Sequence, residues 1–191
     1  MWTGTTSGKA KAEVEASIDR LFHWAAWADK HDGRAKGVPI RGIALAMNEP
    51  VGVIGAFAPD DAPLLGMVSV IAPAMAMGNR TVLIPSEPYP LAATDFYQVL
   101  DTSDVPGGVV NIVAGAHKHL APHLAGHMDV DAVWSFSSSD ISAVIEAEGA
   151  GNLKRTWVNN RQERDWSTPH SAEFLSQSTE VKTVWVPYGE G

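Results

Sequence analysis

The sequence predicts an α/β fold, a doubly wound parallel sheet with helices on both faces, accompanied by a small β arm. Three observations carry that expectation. Short apolar, β-branched runs alternate with helical periods from Leu64 to Val158, a pattern that requires parallel strands joined by right-handed crossovers. With 191 residues, 45% hydrophobic and 19% charged, the chain has enough apolar surface for a real core. A last β-rich run, Val181 to Val186, stands outside the alternation and pairs naturally with an early hairpin.

Taken in order, Val14, Ile18, Leu21, Phe22, Ala25 and Ala28 recur at intervals of three and four, which predicts an amphipathic helix from Glu13 to His31 ended by Gly33. Val38 to Met47 and Val51 to Phe57, joined by Asn48, Glu49 and Pro50, predict a hairpin leading into a buried strand. Leu64 to Met77 reads as an apolar helix closed by Gly78 and Asn79, followed by a strand at Thr81 to Ile84 and a helix at Leu91 to Leu100. Strands at Val109 to Val113, Ala132 to Phe136 and Arg155 to Val158 enclose helices at His119 to His127 and Ile141 to Glu148. Between Asn159 and Ser178 the rhythm stops. That stretch is polar, carries Arg161, Glu163, Arg164 and Asp165 in quick succession, and is expected to be a solvated connector.

A net charge of -8 and a pI near 5.2 exclude nucleic acid and anionic membrane as natural partners, because both select basic surfaces. No apolar run is long enough to span a bilayer, and Met1 to Lys11 lacks the apolar centre of a signal peptide, so a cytoplasmic protein is expected. There is no cysteine, which removes disulfides, thiolate metal sites and thiol nucleophiles together.

Several residues invite a chemical reading and have a plainer one. Asp60 and Asp61 could split their pKa values as an acid/base pair, but sequence neighbours seldom converge on one substrate atom. A strand-to-helix turn with its charge near the helix amino terminus is the simpler reading. His119, His123 and His127 recur every fourth residue, the spacing of zinc ligands on one helix face, although Pro122 interrupts them. Trp24, Trp27, Trp134, Trp157 and Trp185 could form a ligand platform, but Trp134 and Trp185 fall in expected strands, as core or interface anchors would.

The ordered motifs are more specific. They run Glu49-Pro50-Val51-Gly52-Val53-Ile54-Gly55, Pro59-Asp60-Asp61-Ala62-Pro63, Ile84-Pro85-Ser86-Glu87, and Pro106-Gly107-Gly108-Val109-Val110-Asn111-Ile112-Val113 with Gly115. Phe136-Ser137-Ser138-Ser139 and Asn152-Leu153-Lys154-Arg155 complete the series. In order and spacing they resemble the aldehyde dehydrogenase superfamily over roughly residues 11 to 158. The end strand, Thr179 to Val186, resembles the family's carboxy-terminal oligomerisation strand. The resemblance implies a Rossmann-type nucleotide domain, a catalytic domain bearing a cysteine, and an arm that pairs with a neighbouring subunit. Only the first and third have room here.

The family's chemistry, carried over residue by residue, meets the wrong side chains. No cysteine can serve as nucleophile, and no serine has a recognisable base partner in the sequence. The oxyanion asparagine corresponds to Asp61, whose carboxylate would repel a developing negative charge, with Asp60 in place of the preceding tryptophan. The general-base glutamate corresponds to Asn159. For the cofactor, the ribose-gripping lysine corresponds to Ile84, although Glu87 is kept. In the pyrophosphate turn Ser139 keeps its hydroxyl at a helix amino terminus, while Ser138 replaces a glycine and Asp140 adds a like charge.

The expectation is therefore a non-catalytic module resembling the shortened carboxy-terminal unit of two-module aldehyde dehydrogenases. Residues 1–158 would form the Rossmann-type domain including an oligomerisation hairpin at 38–57. Residues 159–178 would be a connector where the catalytic domain belongs, and 179–191 the end strand and tail. The Thr-rich start fits a fragment of a longer chain. No catalytic residue, metal or tightly bound NAD is expected, and Glu87 and Ser139 remain as vestigial cofactor contacts. Ile43, Leu45, Val181, Val184 and Trp185 are the expected interface, facing a catalytic domain of an aldehyde dehydrogenase unit or a second copy. Two rivals stay open: a module that holds a nicotinamide nucleotide without catalysis, and one that completes an active site in trans.

Overall fold

The computed structural model describes residues 4–188, so the first three residues of the amino-terminal stretch and the last three of the expected tail lie outside the described residues. Five parallel strands form the main sheet: β3 (Val53–Phe57), β4 (Arg80–Ile84), β5 (Val110–Ile112), β6 (Ala132–Ser135) and β7 (Arg155–Val158). Their order is β5-β4-β3-β6-β7. The direction of winding reverses at β3, and in open α/β sheets the crevice at such a switch point, beyond the carboxyl ends of the strands, is where ligands bind.

Alternation along the strands sorts the core. Ile54, Ala56, Ala132 and Trp134 point to one face, where they meet α2 (Leu65–Ala76), α3 (Leu91–Asp101) and α6 (Ser171–Ser178). Phe57 and Val133 point to the other, against α4 (His117–Gly126) and α5 (Ser139–Gly149). Helix α2 is buried from Leu65 to Ala74, which explains its apolar composition all round. Gly52 shows why the Pro50-Val51-Gly52-Val53 motif needs glycine. Its φ is +126°, and a Cβ there would lie 2.2 Å from an Asp131 carboxylate oxygen that accepts from the Val53 N–H at 2.7 Å.

Helix α1 (Ser7–Ala25) corrects the sequence reading, because much of its apolar stripe faces outward: Val14 is 46%, Ile18 48% and Phe22 72% exposed, while Leu21 packs against the core. The buried face is Ser17, Arg20 and Trp24. Glu13 Oε1 accepts from the backbone N–H groups of Leu64 and Leu65 at 2.9 and 3.1 Å, satisfying donors at the start of α2 that no helical carbonyl can reach. Arg20 donates to Ser69 Oγ and, at 2.7 Å, to the carbonyl of Trp166. Burial holds its pKa below the ordinary value, against the pull of Asp165.

The arm also differs in connectivity. The hairpin is β1 (Arg34–Gly37) with β2 (Gly42–Pro50), turning at 38–41 rather than at Asn48 to Pro50. The strand Val53–Phe57 leaves the arm and enters the main sheet, because residue 52 breaks the run with a positive φ. Strand β8 (Thr179–Pro187) pairs antiparallel with β2 along its whole length, giving a separate sheet in the order β1-β2-β8.

The stretch expected to be a solvated connector is built into the core. Trp166 is 5% exposed and Phe174, on α6, is fully buried. Phe174 sits edge-on to Trp157, Trp134 and Trp24 with centroids at 5.0, 5.8 and 6.2 Å. The Arg164 guanidinium lies 5.3 to 5.6 Å from the ring centres of Trp157, Phe136, Phe174 and Trp166 and pairs with Glu173. A charge run read as solvated thus supplies the cation that fills an aromatic box.

Candidate functional site

A cavity of about 1190 Å³ opens beyond the carboxyl ends of β3, β4, β6 and β7, at the switch point of the sheet. Its walls come from the segments after those strands: Asp60 and Asp61, Glu87, Ser137 and Ser138, and Asn159 to Arg164. Phe136 and Trp166 provide apolar wall, and Lys118, Arg161 and Arg164 also line the cavity.

Each candidate residue has a definite place. Asp60 accepts from Ser86 Oγ at 2.7 Å and Asp61 from Trp166 Nε1 at 3.2 Å, so the two side chains serve different partners rather than one shared atom. Glu87 Oε2 accepts from the backbone N–H of His117 at 2.9 Å, which makes it a cap for α4. Ser138 is the N-cap of α5, its Oγ accepting from Ile141 N at 3.4 Å, and Ser139 is the exposed first residue of that helix. Ile84, in the place of the expected lysine, is 2% exposed within the core.

The histidine series does not converge. His119 and His123 lie on α4, whereas His127 has left the helix with extended backbone and accepts from Asp129 N through Nδ1. Among the described residues no cluster of three potential ligands could hold a metal ion. The tryptophans divide likewise: Trp24 and Trp134 are buried, and Trp185 is 55% exposed on β8.

One pairing was invisible in the sequence. Ser137 Oγ lies 2.8 Å from His117 Nδ1, and His117 Nε2 lies 2.8 Å from the carbonyl oxygen of Pro85. This corrects the expectation that no serine has a base partner. The two residues are twenty positions apart and meet because the start of α4, which follows β5, reaches across the carboxyl ends of β4 and β3 to the segment after β6.

The interface candidates also divide. The register pairs Ile43 with Val186 and Leu45 with Val184 on one face of the small sheet, and Ala44 with Trp185 and Asn48 with Val181 on the other. Ile43, Leu45 and Val184 are half-buried, whereas Val181 and Trp185 are exposed. Among the described residues no helix is long and apolar enough to cross a membrane.

Comparison with known proteins agrees with this architecture. Aldehyde dehydrogenase 1A1 of Homo sapiens is 36% identical over 146 residues, covering 75% of this chain and 29% of the human protein. An aldehyde dehydrogenase-like protein of Schizosaccharomyces pombe is 30% identical over 181 residues, 94% of this chain and 35% of its own length. Lactaldehyde dehydrogenase from Escherichia coli superposes with a TM-score of 0.78 at 27% identity, covering 82% of this chain and 33% of that one. Betaine aldehyde dehydrogenase from Staphylococcus aureus, solved with NAD+, also gives 0.78, at 28% identity over 82% and 32% of the two chains. The chain thus spans about a third of the length of these relatives. Residues 1–160 match the pattern of the aldehyde dehydrogenase family, to which this chain belongs.

Proposed function

We propose that the chain is a non-catalytic aldehyde dehydrogenase-like module with a structural, oligomerising role in a larger NAD-dependent enzyme, whose complete unit oxidises aldehyde to carboxylic acid. The observation that carries this reading is the outer edge of β8. It is nine residues long, pairs among the described residues only with β2 on its inner side, and presents Val181, Trp185 and Val186 at 63, 55 and 42% exposure. Its charges are Glu180 and Lys182, and Lys182 is engaged with Glu49 across the ladder. A long apolar edge with so little charge favours strand addition by another chain. The partner in this reading is the catalytic domain of a complete cytoplasmic unit, or a second copy.

The cavity supports the absence of aldehyde oxidation and of tight NAD binding. A thiol nucleophile is missing from the sequence, and the positions of oxyanion donor and base hold Asp61 and Asn159. The residues present do not fit a dinucleotide. Glu87 already caps α4, the Ser138 side chain caps α5 at the Ile141 N–H, and Asp140 adds to the cavity wall a carboxylate that disfavours a doubly charged pyrophosphate.

Sedimentation velocity tests the role. The intact chain, alone and mixed with a complete aldehyde dehydrogenase unit from the same source, should give a species heavier than its own 20.4 kDa. A chain ending at Glu180 should keep its circular dichroism and remain at monomer mass. Monomer mass for the intact chain in both samples, or an unchanged heavier mass after truncation, refutes the proposal.

A further inference from the structure

We propose that Ser137 and His117 form a nucleophile and base able to hydrolyse small uncharged or cationic carboxylic esters in the switch-point cavity. This activity is separate from aldehyde oxidation and uses none of the positions that chemistry would need.

Hydrogen-bond directions at His117 follow from its partners. The Pro85 carbonyl can only accept, so Nε2 carries the ring proton and Nδ1 presents a lone pair. Ser137 Oγ–H therefore donates to Nδ1, the polarity a serine nucleophile requires. The imidazole is 3% exposed, packs edge-on against Phe57 at 5.3 Å, and belongs to a residue whose backbone N–H is held by Glu87. The base is thus oriented by a carbonyl on one side and by packing on the other. Ser137 is half-buried and lines the cavity.

A donor set for the oxyanion adjoins it. Helix α5 begins two residues after Ser137, and of its first N–H groups only that of Ile141 has a partner among the described residues, the Ser138 cap. The N–H groups of Ser139 and Asp140 remain at the positive end of an eleven-residue helix. The carboxylates of Asp60, Asp61, Glu87 and Asp140 around the cavity repel anionic acyl groups, and Phe136 and Trp166 accept an apolar one.

In the first step Ser137 Oγ bonds to the acyl carbon as its proton passes to Nδ1. The ester C–O bond then breaks, and the alcohol leaves with that proton. Water, the only co-reactant, adds to the acyl-serine, giving its proton to Nδ1. The acid departs as the Oγ–acyl bond breaks and Oγ regains a proton from the ring. Nothing is oxidised or reduced.

The full chain is treated with p-nitrophenyl acetate, and separately with a neutral alkyl fluorophosphonate followed by peptide mass mapping. The expected results are an adduct on Ser137 and at least a tenfold loss of hydrolysis in Ser137→Ala with an unchanged circular dichroism spectrum. Because the chain contains no cysteine, Ser137→Cys has a single thiol. Its alkylation by iodoacetamide should show an inflection at least one pH unit below the value of about 8.5 for a free thiol, as imidazole-paired thiols do. A serine that only holds His117 in place would give no adduct and an ordinary thiol profile. An adduct elsewhere, full hydrolysis by Ser137→Ala, or that ordinary thiol profile overturns the proposal.

Discussion

Replacing Phe174 by alanine asks whether residues 159–178 belong to the core. Phe174 is fully buried, and its ring meets Trp157, Trp134 and Trp24 edge-on and stands 5.4 Å from the Arg164 guanidinium. Moving such a ring from water into the core is worth about 2–3 kcal/mol. Each edge-on aromatic pair adds about 0.5–1.5 kcal/mol, part of which is recovered when neighbours close on the void. The net loss is about 3–5 kcal/mol, the range for large aromatic truncations in packed interiors. With a urea slope of about 2 kcal/mol per molar, the unfolding midpoint should fall by about 2 M. Phe174→Leu, which keeps volume but not edge geometry, should lose about a third as much. The assay is urea denaturation followed by tryptophan fluorescence and by circular dichroism. A midpoint shift below about 0.3 M for Phe174→Ala would mean that α6 is peripheral, and the reasoning from the aromatic box fails.

Other outcomes follow from the same contacts. Burial, helped by the charge of Arg20, holds the pKa of His23 below its ordinary value of 6.5, and its Nε2 lies 2.7 Å from Ser171 Oγ on α6. The unfolded chain therefore binds this proton more readily, so the His23 contribution is full above about pH 6.5 and is lost as pH falls through the lower folded value. His23→Gln should flatten the slope of stability between about pH 7 and 5, and equal slopes in both proteins would count against it. Gly52→Ala should cost about 2 kcal/mol or more through its positive φ and the Asp131 carboxylate, measured by thermal unfolding. Calorimetry with NAD should give a dissociation constant no tighter than millimolar, about -4 kcal/mol, and a micromolar value would restore the nucleotide-binding reading. Purified protein should produce no NADH from aldehyde, and a single introduced cysteine should not change that.

The parallel sheet was legible because its strands are buried on both faces, so Val53 to Phe57 is continuously apolar and Ala132 to Phe136 is apolar but for Ser135. Strand β1, Arg34-Ala35-Lys36-Gly37, has no such signature and exists through its pairing with Gly42 to Pro50. On α1, periodicity located an apolar stripe correctly and the buried face wrongly. Glu13 and Arg20 find polar partners at the start of α2, on α2 and on the Trp166 segment, while Ser17 donates back to the Glu13 carbonyl, which leaves Val14, Ile18 and Phe22 outside. The connector was misread because Trp166, Phe174 and Leu175 are isolated among charges, and their common burial depends on Trp134 and Trp157 in distant strands. Asp61, Glu87, Ser139 and Asn159 were found from motifs, whereas the Ser137–His117 contact depends on the start of the β5–α4–β6 crossover lying beside the end of the strand it leads into.

The structural role is tested most directly by backbone amide hydrogen exchange along β8. In an antiparallel ladder alternate residues of Thr179 to Val186 turn their N–H groups toward β2, and the others face the open edge. A module that docks through this strand should exchange its outward amides rapidly as a dilute monomer. Those same amides should gain protection, in the alternating pattern, when a complete aldehyde dehydrogenase unit or a second copy binds. If the solution mass rises while the outward amides of β8 exchange as fast as before, association runs through another surface and the proposed role of the arm is wrong.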